Sequence, residues 1–336
     1  MRYRMILLTS AVLTVFVLLA AVATGAAQLS VGDVASILWT RLTGGDPAAL
    51  GYSLAASEIV WSIRLPRVLA AVLGGASLAV SGAIFQSLLM SPLADAYTMG
   101  SSSGAAFGAV LGLYLNMLTG LRISTTATAF LMAAVTLIVV LLASRGAAGN
   151  HQLIMAGVIV GSIMSAGISF VKVLAGDMIG SVSIFLIGSL SSIGMGQLKV
   201  LAGVAVPCCI LAYIGAYQLN IMMLGDGEAR QLGVNTGRMR MLFCALATAL
   251  TASCVAVCGT IGFVGLIVPH VARTLAGSDN RRVIPLSITG GALLLLAADT
   301  VSRVLLPREL PVGVMTTLLG GPFFMWLFIR RKREAR

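Results

Sequence analysis

Met5-Ile-Leu-Leu-Thr-Ser-Ala-Val-Leu-Thr-Val-Phe-Val-Leu-Leu-Ala-Ala-Val-Ala-Thr-Gly-Ala-Ala27 contains no charged residue. As a helix it would be about 35 Å long, enough to cross the roughly 30 Å hydrocarbon core of a bilayer. Arg2 and Arg4 precede it, as basic residues precede the apolar stretch of a secretory leader. Such a stretch is typically about 7–15 residues, so this run reads instead as a first transmembrane helix.

Working outward from that run, comparable stretches recur at approximately 66–89, 99–118, 125–143, 151–175, 197–218, 239–259, 262–276, 284–305 and 312–330. The eighth is short and bounded by glycine, so the seventh and eighth could form one broken unit. The runs are continuous rather than alternating, which excludes a closed barrel. Of 336 residues, 58% are hydrophobic and 10% charged, against about 25% charged in a soluble domain. The 38 glycines suit close helix packing in lipid. The expected fold is an all-α membrane protein of about ten spans, a single transmembrane domain over residues 1–336.

The net charge of +11 does not mark a nucleic-acid binder, because the basic residues sit in short clusters between apolar runs. With the N-terminus cytoplasmic and ten spans, fourteen Lys and Arg fall inside and eight outside. The inner set includes Arg145, Arg336 and the run Arg330-Arg-Lys-Arg333; the outer set includes Arg122 and Arg308. This asymmetry is the usual topological signal and places both termini in the cytoplasm. Three connections stand out: external segments at 28–62 and 177–196, and a cytoplasmic loop at 220–238. The second holds Ile184-Phe-Leu-Ile187, too short to span. The charges and glycines of the third mark a short helix among turns.

Energy coupling is not legible as chemistry within this chain. A proton-coupled carrier acting alone needs intramembrane carboxylates or histidines. The spans offer only Asp299 near an outer end, with His270 and Arg273 near an inner end. None of Lys172, Lys199 and Lys332 follows a glycine, so there is no phosphate loop. Gly100-Ser-Ser-Ser-Gly104 fits a nucleophile elbow, which would make Ser102 the centre of an intramembrane hydrolase. The motif needs a preceding strand and a histidine partner, whereas small residues at a helix start explain it more simply. Cys254 and Cys258 share a helix face but have no His or carboxylate beside them, so they read as small buried residues. No catalytic or metal-binding set emerges.

A series of motifs carries a resemblance. Arg64-Leu-Pro-Arg67 leads to Gly74-Gly-Ala-Ser-Leu-Ala-Val-Ser-Gly-Ala83, Gln86, Ser91-Pro-Leu-Ala-Asp95 and Gly100–Gly104. Gly225-Asp-Gly-Glu-Ala-Arg-Gln-Leu-Gly233 and Gly262-Phe-Val-Gly-Leu-Ile-Val-Pro-His270 follow. Last come Asp299-Thr-Val-Ser-Arg303, Glu309-Leu-Pro-Val-Gly313 and Gly320-Gly-Pro-Phe-Phe324. In order and over residues 64–324, this series resembles the permease family of iron-siderophore, haem and cobalamin ABC importers. Ser91 stands where that family usually has Asn. The stretch Ser183-Ile-Phe-Leu-Ile-Gly-Ser-Leu190 lacks the family's frequent Trp or Tyr.

The resemblance implies a homodimer of ten-helix subunits, each built on an inverted repeat. It also implies two ABC ATPase subunits on the cytoplasmic face, holding ATP and Mg, and a periplasmic or lipid-anchored binding protein outside, in a cell inner membrane. This chain itself would hold no cofactor and would not be an enzyme. Its cargo would be a metal chelate, first a ferric siderophore, alternatively haem or cobalamin. The ATPase contact would be Gly225, Asp226, Gly227, Glu228, Ala229, Arg230, Gln231, Leu232 and Gly233. A secondary contact is expected at Asp279, Arg281 and Arg282. Arg64, Arg67 and Arg303 would pair with carboxylates of the binding protein, since a guanidinium grips a carboxylate with two hydrogen bonds. Spans five, eight and ten would line the path, with Gly157, Gly161, Ser162, Ser165 and Ser169 as a small, weakly polar wall.

Overall fold

The computed structural model describes residues 2–24, 30–45, 53–121, 123–144, 150–176, 179–305 and 309–334. Arg122, Arg145, Arg308 and Arg336, which entered the charge count, lie outside them. The described residues are helical, without strands. In order the helices are α1 (Arg2–Ala23), α2 (Val31–Leu42), α3 (Leu54–Glu58), α4 (Leu65–Leu88), α5 (Ser101–Thr119), α6 (Thr125–Ala143), α7 (Asn150–Ala175) and α8 (Ile179–Ile187). Then follow α9 (Met195–Ile214), α10 (Ala216–Met222), α11 (Asp226–Gln231), α12 (Thr236–Cys258), α13 (Val264–Ala276), α14 (Asn280–Val304) and α15 (Val312–Glu334).

Seven stretches are long and apolar enough to cross a membrane: α1, Ala55–Leu88, α6, α7, α9, α12 and α14. With α5, the short α13 and the apolar part of α15, they coincide with the ten apolar runs. α4 is the central post: from Pro66 to Leu88 nearly every residue is buried, with α14, α12, α13 and α9 around it. That enclosure depends on small residues. A side-chain carbon on Gly75 would collide with the backbone of Gly291, and one on Gly291 with that of Gly75. Only glycine lets α4 and α14 approach so closely, which in lipid replaces the missing hydrophobic drive between helices.

Two expectations change. Residues 28–62, read as a polar connection, contain two helices and a π-helical turn, Ile59–Arg64, which runs directly into α4. The start of α2 is a capping box: Ser30 Oγ accepts from Asp33 N, and Asp33 Oδ2 accepts from Ser30 N. The sixth run also stops early. α9 ends at Ile214, and Gly215 separates it from α10.

α12 and α13 are indeed broken, by residues 259–263. Non-helical backbone within the membrane must find internal partners. Here Ser189 N donates to Cys258 O at 2.9 Å, Thr260 Oγ1 donates to Leu186 O and Gly313 N donates to Gly188 O at 3.3 Å. The end of α8, the break and the start of α15 thus form one knot.

Candidate functional site

A cavity of about 610 Å³ lies against this knot. Its wall combines Thr260, Gly262, Phe263 and Leu266 from the break and α13 with Leu186 and Ile187 from α8. Gly313, Val314, Thr317 and Leu318 of α15 and Asp95, Tyr97 and Thr98 of the α4–α5 connection complete it. Phe263 holds a left-handed backbone, φ +67°, unusual for a bulky residue. Its ring fills the space that any side chain on Gly320 would need.

The wall is mostly apolar, and Asp95 is the one carboxylate among the described residues that line it. Asp95 Oδ1 accepts from Tyr97 N at 3.1 Å and Thr98 N at 2.9 Å. Burial raises its carboxyl to about 6, against the lowering pull of these amides. The first role of Asp95 is therefore to hold the turn that leads into α5.

Spans eight and ten thus reach this cavity, while the expected residues of span five do not line it. A side chain on Gly157 would strike the Thr98 carbonyl, and a side-chain carbon on Gly161 would come within 3.3 Å of the Gly100 Cα, so both serve helix–turn packing. Ser162, Ser165 and Ser169 lie exposed on α7. Ser162 and Ser169 donate to backbone carbonyls of their own helix. Ser102 is buried beside Tyr97 at the start of α5, and Cys254 and Cys258 face Gly74 of α4.

The three arginines expected at the docking surface, Arg64, Arg67 and Arg303, lie together at one end of the bundle. They are buried and engaged within the chain. Arg67 meets Asp299 through Nε and Nη2 at 3.0–3.3 Å and Glu309 through Nη1 at 2.8 Å. Arg303 Nε lies 3.2 Å from Asp299 Oδ2, and its Nη1 donates to Ala21 O and Thr24 O. Arg64 Nη1 donates to Val22 O and Ala23 O at 3.0 Å each. Two guanidinium groups thus cap the carbonyl end of α1, where the helix dipole favours cations. Within the chain these groups satisfy carboxylates and carbonyls that would otherwise be buried without partners. Glu309, with a side chain 51% exposed, is the accessible member. The 232 positions that separate Arg67 from Asp299 along the chain hid the pairing from the sequence.

At the opposite end, α11 projects from the bundle. Gly227, Glu228, Arg230, Gln231, Leu232 and Gly233 are exposed, and Ala229 is buried. Asp226 takes Arg240 at 2.8 Å, and Arg230 Nε donates to Thr236 Oγ1 at 3.1 Å. Leu224 and Leu232 are each 59% exposed among these charges. Behind α11, Asp279 caps α14, accepting from Arg281 N. The Arg281 guanidinium sits 4.9 Å from the Tyr217 ring, and that of Arg282 lies 3.8 Å from Asp279.

Comparison with known proteins agrees with this architecture. The FecCD transport family matches residues 13–330. YvrB of Bacillus subtilis (strain 168), an uncharacterized ABC transporter permease protein, is 37% identical over 93% of this chain and 90% of its own. HmuU of Yersinia pestis, a hemin transport system permease protein, is 38% identical over 82% of this chain and 84% of its own. A solved structure described as an inward-facing ABC transporter of metal-chelate type superposes with a TM-score of 0.84 at 28% identity, covering 97% of this chain and 99% of that one. The chain belongs to the FecCD transport family and is built as a multi-pass ABC transporter permease.

Proposed function

We propose that this chain is the membrane subunit of an importer that carries a metal chelate, a ferric siderophore in the first instance, driven by ATP hydrolysis in partner subunits. The observation that carries the reading is the cavity on the α12–α13 break. It is wide and apolar, and the described residues that line it offer no set of ligands to strip a bare metal ion, so it suits a cargo whose metal is already wrapped in organic groups. Haem, as moved by the Yersinia relative's system, and cobalamin satisfy the same physical requirement.

The chain works as a homodimer in the cell inner membrane with both termini cytoplasmic. Each α11 receives one ATPase subunit. The exposed Gly227, Glu228, Arg230 and Gln231 support this, since they present a charged, wettable face. Asp279, Arg281 and Arg282 supply a second, smaller contact. Ser162, Ser165 and Ser169 belong to the path wall that the dimer completes.

The binding protein docks on the outer rim. Three arginines against two carboxylates leave one net positive charge there. A carboxylate of the binding protein gains its place by competing with exposed Glu309 for Arg67, while Arg64 and Arg303 hold α1 beneath it.

The test is reconstitution with a cognate ABC ATPase and binding protein, offering labelled ferric siderophore, hemin and cobalamin. ATP-dependent uptake of one of them is expected. Uptake that needs no ATPase subunit and follows a proton gradient would overturn the reading.

A further inference from the structure

Behind α11 lies a polar cluster that neither the cavity nor the ATPase contact uses, centred on a single amide. Asn280 is fully buried at the start of α14. Its Nδ2 donates to Asn220 Oδ1 at 2.9 Å and to Met223 Sδ at 3.3 Å, both on the α10 side. Its Oδ1 accepts from Ser87 Oγ of α4 at 2.9 Å and from Arg273 Nη2 of α13 at 3.2 Å. Both donor and both acceptor positions of the amide are occupied, the most that an asparagine side chain can make.

The neighbours tighten the same joint. Asn220 Oδ1 also accepts from Asn280 N at 2.8 Å, and Asn220 Nδ2 donates to Asp279 Oδ1 at 2.7 Å. An α10 side chain thus grips the first turn of α14 by both backbone and side chain. Arg273 Nη2 donates to Ser87 Oγ at 2.7 Å and to Ala83 O at 3.2 Å. One residue therefore touches the element leading into α11 and three membrane helices. One of those helices carries cavity wall and a second leads into it. α13 begins with Leu266 in its first turn, and α4 leads into the turn that bears Asp95, Tyr97 and Thr98.

We infer that Asn280 is the positioning residue that passes displacement of α10 and α11 to the cavity wall, through Arg273 to α13 and through Ser87 to α4. The inference rests on the reading that α11 receives the ATPase. A fully hydrogen-bonded buried cluster is stiff, and breaking one member leaves others unsatisfied, so the three helix ends move with α10 rather than sliding past it. Hydrophobic packing alone would let these ends slip. An amide hub also accounts for the residue type. Aspartate at 280 would place an acceptor against Asn220 Oδ1 and lose both donations towards α10.

The test uses the permease with its ATPase subunits in nanodiscs, in a background with the five native cysteines replaced. Nitroxide labels are placed separately at Arg238→Cys, an exposed position beside the ATPase contact, and at Leu318→Cys, on the cavity. Spectra are recorded before and after trapping with ATP and vanadate. In the otherwise unmodified protein both labels are expected to respond. In Asn280→Asp and Ser87→Ala the Arg238 response should persist, which certifies a folded and assembled complex, while the Leu318 response falls at least fivefold. Ser87→Thr, which keeps the hydroxyl, should restore it; this pair decides the matter if Asn280→Asp does not assemble. A full Leu318 response in the assembled variants overturns the inference, as does a Leu318 label that ignores trapping in the unmodified protein. An Arg238 label that ignores the ATPase overturns the docking reading itself, and the relay with it.

Discussion

Arg67 of α4 and Asp299 of α14 meet through three N–H···O contacts of 3.0–3.3 Å, with both side chains almost wholly buried. Asp299 also receives Arg303 at 3.2 Å, so one carboxylate sits between two guanidinium groups at the outer end of the bundle. Removing one partner of such a pair leaves a buried charge without compensation.

Asp299→Ala should therefore cost about 3–5 kcal/mol, and Arg67→Ala a similar amount. The double variant Arg67→Met/Asp299→Leu should cost clearly less than the sum. Thermal unfolding of the detergent-purified permease measures this as a double-mutant cycle. Additive losses would mean that the pair is not coupled. Arg67→Glu should fail to accumulate in the membrane, because it sets a third carboxylate beside Asp299 and Glu309.

Glu309 behaves differently because it is half exposed. Glu309→Gln should change stability by less than about 1 kcal/mol. It should also strengthen docking of the binding protein at low salt, by leaving Arg67 Nη1 to the incoming carboxylate. Binding to nanodisc-embedded permease across a salt series checks both the direction and the screening expected of rim charges. Unchanged affinity at every salt concentration would remove Glu309 from the docking surface.

Asp95 makes stability depend on pH. Its folded value, about 6, lies above the ordinary 3.8. Between these values the native state keeps a proton that the unfolded chain has lost, so stability falls as pH rises through the interval and levels off above about 6. A shift of about two units corresponds to roughly 3 kcal/mol at most. Asp95→Asn keeps the Oδ1 acceptor for Tyr97 and Thr98 and loses the charge. Its melting temperature should vary less than that of the unmodified protein between about pH 4 and pH 7. Parallel curves would show that Asp95 does not titrate there.

On α11, Leu232→Ser and the pair Glu228→Ala/Arg230→Ala should weaken ATPase binding at least tenfold with little loss of permease stability, since these side chains are exposed. Co-purification and surface plasmon resonance against the ATPase subunit give the measurement. Retained binding in all three substitutions would make α11 a connector only.

How much of this was legible beforehand depends on the range of the interaction. The ten apolar runs could be read because bilayer thickness imposes a length and a composition on each segment independently. The α2 capping box was legible too, since Ser30 and Asp33 are three residues apart, yet the polarity around it read as a connection. The break before α13 was foreshadowed by its glycines. Nothing local placed Leu186, Thr260 and Gly313 in one knot, or Asp95 beside Phe263.

The amino-acid sequence alone settled that the chain lives in a membrane, how many times its apolar runs could cross it and which family its motifs resemble, because each of these depends on composition and spacing along the chain. Tertiary structure alone decided what its rare charges do. Arg67 and Asp299 lie 232 positions apart, and whether an arginine waits for a partner or neutralises a buried carboxylate is settled by the approach of α4 to α14. In a low-dielectric interior an unmatched charge is too costly to stand free. The helices that bring opposite charges together therefore determine their role.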